Sequence, residues 1–239
     1  MWNESLSVDN LPDIPYALGN ESAFALLKGL IMAAWTLDRN KVMTSDEMHV
    51  VLQSLARRAR RSVNTAINDV VFRLAATCGL RAAEIASLRM CDVKLGDGSR
   101  PYIHVHKGKG GKTADVTIPD TGTVAVFQRH LTSRKESKAK GRELFVIKTN
   151  GKGFNRQEIA KRFKSAIRCL PAERIAELSV HSGRHTAATM LLDEGHSLAT
   201  VRDFMRHSNI SVTSVYLHGR EIEPVDMFPA QNEPVNALS

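Results

Sequence analysis

Residues 181–189 have the sequence His-Ser-Gly-Arg-His-Thr-Ala-Ala-Thr. A helix that begins near Ser182 would place Arg184 in its first turn and His181 at its edge. Backbone N–H groups without partners gather at a helix N-terminus and favour anions. The segment therefore fits a phosphate-binding site, although a surface arginine next to a capping histidine would leave the same pattern.

The two histidines of this segment also raise the question of a metal ion. His181 and His185 are four residues apart and can share one face of a helix. No glutamate follows His181, as the zinc motif HExxH requires, and no third ligand stands at a characteristic spacing. We therefore expect no metal and no other cofactor.

The composition of the chain points to a polyanionic partner. Among its 239 residues, 33 Lys and Arg outnumber 25 Asp and Glu, which gives a formal charge of +8 and a pI of about 9.6. A basic chain of this size suits nucleic acid or an anionic membrane surface. The apolar stretch at residues 23–37 is short for a membrane span and is interrupted by Lys28, so we expect no membrane association.

The cysteines indicate a reducing compartment. Cys78, Cys91 and Cys169 are far apart and form no CxxC pair, which argues against a disulfide framework and a zinc site. The N-terminus is acidic and contains prolines, so it does not resemble a signal peptide. We expect a cytoplasmic protein.

The hydrophobic pattern predicts a mostly α-helical protein with one small antiparallel β-hairpin. Thr44 and Glu47 are spaced as a capping box at the start of a helix that ends in the basic run at residues 57–61. Gly79 is placed to end the next helix, at residues 64–78. Further helices are predicted at about residues 21–37, 80–88, 121–133, 155–169, 182–194, 198–205 and 211–217, and a short strand or buried connector at residues 144–147.

Three lysines and three glycines make up the predicted turn of the hairpin, at residues 107–112. Alternating runs flank it at residues 102–106 and 115–118. Lys107 and Lys109, on a flexible backbone, suit contact with DNA phosphates or a groove. The turn lacks the spacing of a Walker A loop, and a solvated basic hairpin tip is the ordinary alternative.

Two further candidates are modest when each is taken alone. Arg81 stands where a helix begins after Gly79, and Glu84 is placed to brace it through an (i, i+3) ion pair. Tyr216 lies on a predicted short helix after His207, where a tyrosine is usually a packing residue. The order of these residues along the chain is what gives them weight.

That order resembles the active site of the tyrosine recombinase, or phage integrase, family. The sequence TCGLRAAEI at residues 77–85 resembles the first active-site box of the family, and HSGRHT at residues 181–186 resembles the second. Arg206-His207, followed by Tyr216 nine residues after the histidine, resembles the third. The resemblance covers about residues 44–218 and includes a lysine-bearing hairpin between the first two boxes.

The resemblance implies the tyrosine recombinase catalytic-domain fold and phosphoryl transfer without metal or ATP. Tyr216 would attack a DNA phosphodiester and form a 3′-phosphotyrosyl link, which conserves the bond energy for rejoining. The implied function is site-specific recombination of double-stranded DNA. The implied assembly is a homo-oligomer, a tetramer on DNA that need not persist in solution, where the protein can be a monomer.

The roles that the resemblance implies agree with the chemistry of each side chain. Arg81 and Arg184 clamp the phosphate oxygens, because a guanidinium binds such oxygens in a bidentate manner. His181 accepts the proton of the tyrosine, whose pKa is ordinarily near 10, or holds the phosphate. The remaining assignments are Lys109 (with Lys107 as the alternative) as the acid for the leaving 5′-oxygen, His207 as a phosphate ligand, and Glu84 and His185 as supporting residues.

Two residues depart from the family pattern. Gly183 stands where the family usually has leucine, which removes a packing side chain next to the site. Arg206 stands where the family usually has glycine, and adds bulk and charge where a helix normally passes closely. Neither departure removes a catalytic group, but both bear on the level of activity.

The predicted domains are an N-terminal extension with one helix at residues 1–43, the catalytic domain at 44–218 and a C-terminal tail at 219–239. The tail is long enough to dock on a neighbouring subunit. Many members of the family carry a separate helical DNA-clamping domain before the first box. We therefore expect either a one-domain recombinase or a chain that lacks this domain.

Two other functions stay open at this point. A type IB topoisomerase uses similar Arg, Lys, His and Tyr chemistry but relaxes DNA as a monomer. A DNA-binding protein that does not cut could retain the fold, and Arg206 is the best hint of that. The form of the second box favours the recombinase, and the complete set of candidate catalytic residues argues against the non-cutting protein.

Overall fold

The computed structural model describes residues 39–96, 100–106 and 113–206 of the chain. All of them lie in the second of the two compact units into which the chain divides, residues 37–239. The predicted helices at residues 21–37 and 211–217 and the C-terminal tail lie outside the described residues. The helices of the described ranges are α1 (Ser45–Ala59), α2 (Val63–Ala76), α3 (Ala82–Ser87), α4 (Thr121–Glu136), α5 (Arg156–Ala166), α6 (Ala172–Glu177), α7 (Val180–Asp193) and α8 (Leu198–Met205).

Helix α1 begins at the predicted capping box. The hydroxyl of Thr44 accepts from the N–H of Glu47 at 3.1 Å, and the Glu47 carboxylate accepts from the N–H of Thr44 at 2.9 Å. Arg174 of α6 donates from Nε to the same carboxylate at 2.6 Å. A motif of four consecutive residues thus fixes the start of the helix, and a distant arginine reinforces it.

Helix α2 forms the centre of the core. Its residues from Ile67 to Ala76 are buried, and it packs against α1, α5 and α7. The chain leaves it at Gly79, as predicted, with a φ of +63° that glycine adopts at little cost. The N–H of Leu80 donates to the Leu74 carbonyl at 2.8 Å and closes the turn. This turn sets where Arg81 stands.

The β-structure is a three-stranded antiparallel sheet in the order β1 (Val93–Lys94), β2 (Tyr102–Val105) and β3 (Ala114–Thr117). The predicted hairpin is confirmed as β2 and β3, with Ile103 paired to Val116. Strand β1 was not predicted, because two residues are too few to show an alternating pattern. The fold class, mostly α with a small antiparallel sheet, is confirmed.

The segment at residues 144–147 is a buried connector with isolated bridges rather than a strand. Leu144 pairs with Arg89 and Ile147 with Gly153, while Phe145 and Val146 between them are buried. As for membranes, none of the helices in the described ranges combines the length and apolar character that crossing a bilayer requires.

Candidate active site

Helix α7, which carries the 181–186 segment, begins earlier than predicted. Ser179 is its N-cap, and its hydroxyl accepts from the N–H of Ser182 at 3.2 Å. Arg184 is therefore the fifth residue of the helix, so its predicted place in the first turn is wrong. His181 lies within that first turn. The prediction took Ser182 for the start of the helix, whereas the serine three residues earlier caps it.

Arg184 joins the ends of two other helices. Its side chain is buried, with a residue exposure of 2%. Nη1 donates to the carbonyl of Gly79, after α2, and Nη2 donates to the carbonyl of Met205, the last residue of α8. Two carbonyls from segments far apart in sequence thus orient one guanidinium.

Arg81 stands two residues after Gly79, the residue to which Arg184 is bonded. It is the N-cap of α3, and its side chain is one-third exposed, at 34%. Its backbone N–H donates to Oε2 of Glu84 at 2.8 Å and its Nη1 donates to Oε1 at 2.9 Å. The predicted (i, i+3) ion pair is confirmed. The bond from Arg184 to Gly79 brings the first two boxes together.

The positive charges of Arg184 and Arg81 both act on the imidazole of His181. The residue is exposed at the surface, yet the protein around the ring removes part of its hydration. This desolvation is the largest influence that lowers its pKa, and the positive charges of Arg184 and Arg81 lower it further. Its ring meets that of His185 edge to face, with 4.2 Å between centroids. The neutral form of His181 is therefore favoured near pH 7, and a neutral imidazole is able to accept a proton. Across the described ranges, no three His, Cys, Asp or Glu side chains group so as to hold a metal ion.

Arg206 makes a contact that the sequence did not reveal. It ends α8 in the left-handed region, with φ 54° and ψ 44°. Its Nη2 donates to Oε2 of Glu84 at 2.6 Å, 122 residues away. Burial alone would raise the pKa of the Glu84 carboxyl, but Arg206 and Arg81 outweigh it and the pKa is lowered. The unusual arginine at this position was the one available signal.

Gly183 leaves no empty space beside the site. A β-carbon at this position would lie 2.8 Å from Cε2 of Phe163, which is fully buried. The aromatic ring occupies the place that a side chain at residue 183 would need. The expected loss of packing is thus offset by a residue of α5.

Four of the predicted site residues belong to segments that the structure does not describe. Lys107, Lys109, His207 and Tyr216 lie outside the described residues. The strands on either side of the lysine-bearing turn are paired up to Val105 and Ala114. The roles of these four residues stay predictions. The described part brings together Arg81, Glu84, His181, Arg184 and His185.

Comparison with known proteins gives a consistent result. A family model described as the phage integrase family matches residues 41–222. A tyrosine recombinase of Thermosipho africanus is 24% identical over 184 residues, which are 77% of this chain and 59% of that protein. Tyrosine recombinase XerD of Halalkalibacterium halodurans is 26% identical over 189 residues, 79% of this chain and 60% of that one. The chain spans about three fifths of the length of these relatives.

Solved structures resemble the fold. The XerH site-specific recombinase, in a pre-cleavage complex with its difH substrate, aligns with a TM-score of 0.62 at 21% identity, over 77% of this chain and 51% of that one. The XerA recombinase aligns with a TM-score of 0.61 at 19% identity, over 75% and 61%. These likenesses confirm the predicted fold, that of a tyrosine recombinase catalytic domain.

Proposed function

This chain belongs to the phage integrase family, and on that premise we propose that it is a tyrosine recombinase that cleaves and rejoins double-stranded DNA at specific sites. The observation that carries the proposal is the junction at Gly79. The bond that Arg184 makes there ties it to the segment that holds Arg81. Two guanidiniums near one histidine suit a phosphodiester whose oxygens gain negative charge in the transition state.

The proposed reaction needs no metal and no nucleotide. The phenolic oxygen of Tyr216 attacks the phosphorus, the bond to the 5′-oxygen breaks, and a 3′-phosphotyrosyl link forms. Neutral His181 accepts the phenolic proton or holds the phosphate. Lys109, or Lys107 as the alternative, gives a proton to the leaving 5′-oxygen, and His207 hydrogen-bonds the phosphate. Attack by a 5′-hydroxyl on the link reverses these steps and reseals a strand.

The proposed partner is double-stranded DNA. The net charge of +8 supports this, because phosphate contacts by Lys and Arg dominate the affinity of proteins for DNA. Related structures include XerH with difH DNA and a lambda integrase dimer on a core site. For this chain we propose a tetramer on DNA, with the tail at residues 219–239 docking on a neighbouring subunit. The catalytic domain is proposed to span residues 44–218.

The test is covalent trapping. The substrate is a pool of nicked DNA duplexes whose sequence beside the nick is randomised. Cleavage close to the nick releases a short strand, so the link cannot be resealed and the protein stays attached to the DNA. Wild type should yield an adduct on a denaturing gel, and mass spectrometry should locate the nucleotide on Tyr216. Tyr216→Phe is the matched control and should yield none. A folded wild type that traps no DNA from the pool would support the non-cutting alternative.

A second assay separates the recombinase from the topoisomerase. Supercoiled plasmid without a trapped sequence is incubated with the protein, and so is plasmid that carries two copies of that sequence. The recombinase should exchange strands between the copies. Relaxation of the plasmid that lacks the sequence, at the same rate and without exchange, would favour the topoisomerase.

A further inference from the structure

The backbone of Arg206 is unusual for a residue with a side chain. Its φ of 54° lies in the left-handed region, where a β-carbon crowds the backbone and glycine is favoured. Within the part of the chain that the structure describes, Lys138 is the other non-glycine residue with a positive φ. Such a conformation costs free energy, so the contacts that hold the side chain of Arg206 bear on why it is adopted.

The side chain of Arg206 is directed into the protein. Its exposure is 8% and that of the Glu84 side chain is 7%, and 2.6 Å separates Nη2 from Oε2. Nη1 lies 3.4 Å from the carbonyl of Phe204, and buried Nε has no partner among the described residues. A buried ion pair of this kind holds each partner strongly, because the loss of either leaves a buried charge without compensation.

Glu84 is shared between two guanidiniums. Its Oε1 accepts from Nη1 of Arg81 at 2.9 Å, and its Oε2 accepts from Nη2 of Arg206. Nε and Nη2 of Arg81 make no hydrogen bond to any described residue, so that edge of the guanidinium is left to bind a phosphate.

The shared carboxylate also sets the charge of the site. Arg81 and Glu84 alone form a neutral pair, whereas the three side chains together carry one positive charge. Since negative charge develops on the phosphate in the proposed reaction, the additional cation favours the transition state. The neighbouring Met205 carbonyl accepts from Arg184, and Arg206 reaches Arg81 through the shared Glu84 carboxylate. Two adjacent residues at the end of α8 thus act on the two arginines of the site, one directly and one through Glu84.

We propose that Arg206 is a positioning residue for Arg81. Arg206 binds one carboxylate oxygen of Glu84, and Arg81 thereby keeps one edge of its guanidinium for the scissile phosphate. The inference rests on the proposed function of the same site. Arg206 itself need not touch DNA. Its effect is expected on the rate of cleavage rather than on binding.

The test compares Arg206→Gly with Lys138→Gly. Both replacements remove one positive charge from a left-handed residue, and Lys138 is exposed at the end of α4. In Arg206→Gly, the rate of adduct formation at saturating DNA should fall at least about tenfold, as expected for a displaced catalytic group. DNA affinity should stay close to that of Lys138→Gly, whose adduct rate should match wild type. Arg206→Lys should recover part of the rate, because it keeps the charge but not the planar fork.

A readout without DNA keeps the inference testable by itself. Phenylglyoxal labels accessible arginines, and peptide mass spectrometry follows the labelling of Arg81. In Arg206→Gly, Arg81 is the one guanidinium partner that Glu84 keeps among the described residues, so Arg81 should be labelled more slowly than in Lys138→Gly. Equal labelling in the two variants overturns the inference, and so does an equal adduct rate. If wild type forms no adduct at all, the proposed function fails and the labelling alone decides the inference.

Discussion

The ring of Phe163 lies so close to Gly183 that a β-carbon on the glycine would stand 2.8 Å from Cε2 of the ring. Phe163 is fully buried and stacks on Phe72 with 5.6 Å between the ring centroids, so it has little room to withdraw. His181 and Arg184 lie on helix α7 within two residues of Gly183. The close approach of α5 to α7 therefore helps to place two candidate catalytic residues.

Gly183→Ala should destabilise the protein. Alanine favours a helix over glycine by up to about 1 kcal/mol, but overpacking a rigid core costs about 1–3 kcal/mol, so a net loss is expected. Urea unfolding, followed by circular dichroism, measures it. Phe163→Leu removes the ring atoms in question. In that background Gly183→Ala should cost less, which gives a coupling between the two sites. A more stable Gly183→Ala variant would show that the ring does move aside.

The two arginines of the site should respond differently to replacement by lysine. One ammonium group cannot reach both carbonyls that Arg184 holds, so Arg184→Lys should lose about 1–3 kcal/mol of stability. Arg81 is partly exposed, so Arg81→Lys should lose less than about 1 kcal/mol. Both variants should lose adduct formation. Urea unfolding and the nicked substrate provide the two measurements. Equal losses of stability would contradict the different burial of the two side chains.

Features that depend on a few neighbouring residues could be predicted from the sequence. The capping box of Thr44 and Glu47, the turn at Gly79 and the pair of Arg81 with Glu84 each span at most four residues, and all three are present. Spacing along the chain determines such contacts, because the geometry of a helix turn is fixed.

Contacts between distant segments could not be predicted in this way. The bond between Arg206 and Glu84 joins residues 122 positions apart, and the approach of Phe163 to Gly183 depends on how two helices pack. The sequence marked Arg206 and Gly183 as unusual residues but gave no partner for either. The start of α7 was misplaced because Ser179 and Ser182 are both good capping residues, and the choice between them depends on packing.

Arg174→Gln should lower the free energy of unfolding, because it removes contacts at the start of α1. Arg174 donates to Glu47 at 2.6 Å and to the carbonyl of Val42 at 3.0 Å, and its bond lowers the pKa of the Glu47 carboxyl against the opposing effect of burial. A lowered carboxyl pKa contributes stability that is present above the ordinary value near 4.5 and is lost as the pH falls through the folded value. The free energy of unfolding of the variant, measured with urea at several pH values, should fall less between pH 5 and pH 3 than that of wild type. The difference should be no more than about 1 kcal/mol. Parallel curves would mean that Glu47 is ionised by other contacts.

His130→Gln should make the free energy of unfolding decrease less as the pH falls below 7. His130 lies 2.7 Å from the carbonyl of Phe145, and burial lowers its pKa, although that bond acts in the opposite direction. Its folded pKa is below the unfolded value near 6.5, so stability is complete above that value and decreases as the pH falls from it through the folded pKa. Glutamine keeps a donor for the carbonyl but does not titrate. Free energies of unfolding from urea melts between pH 7.5 and pH 5 should therefore decrease less in the variant. His181, whose pKa is also lowered, accounts for part of the remaining slope. A variant as pH-dependent as wild type would show that His130 has the same pKa in the folded and the unfolded protein.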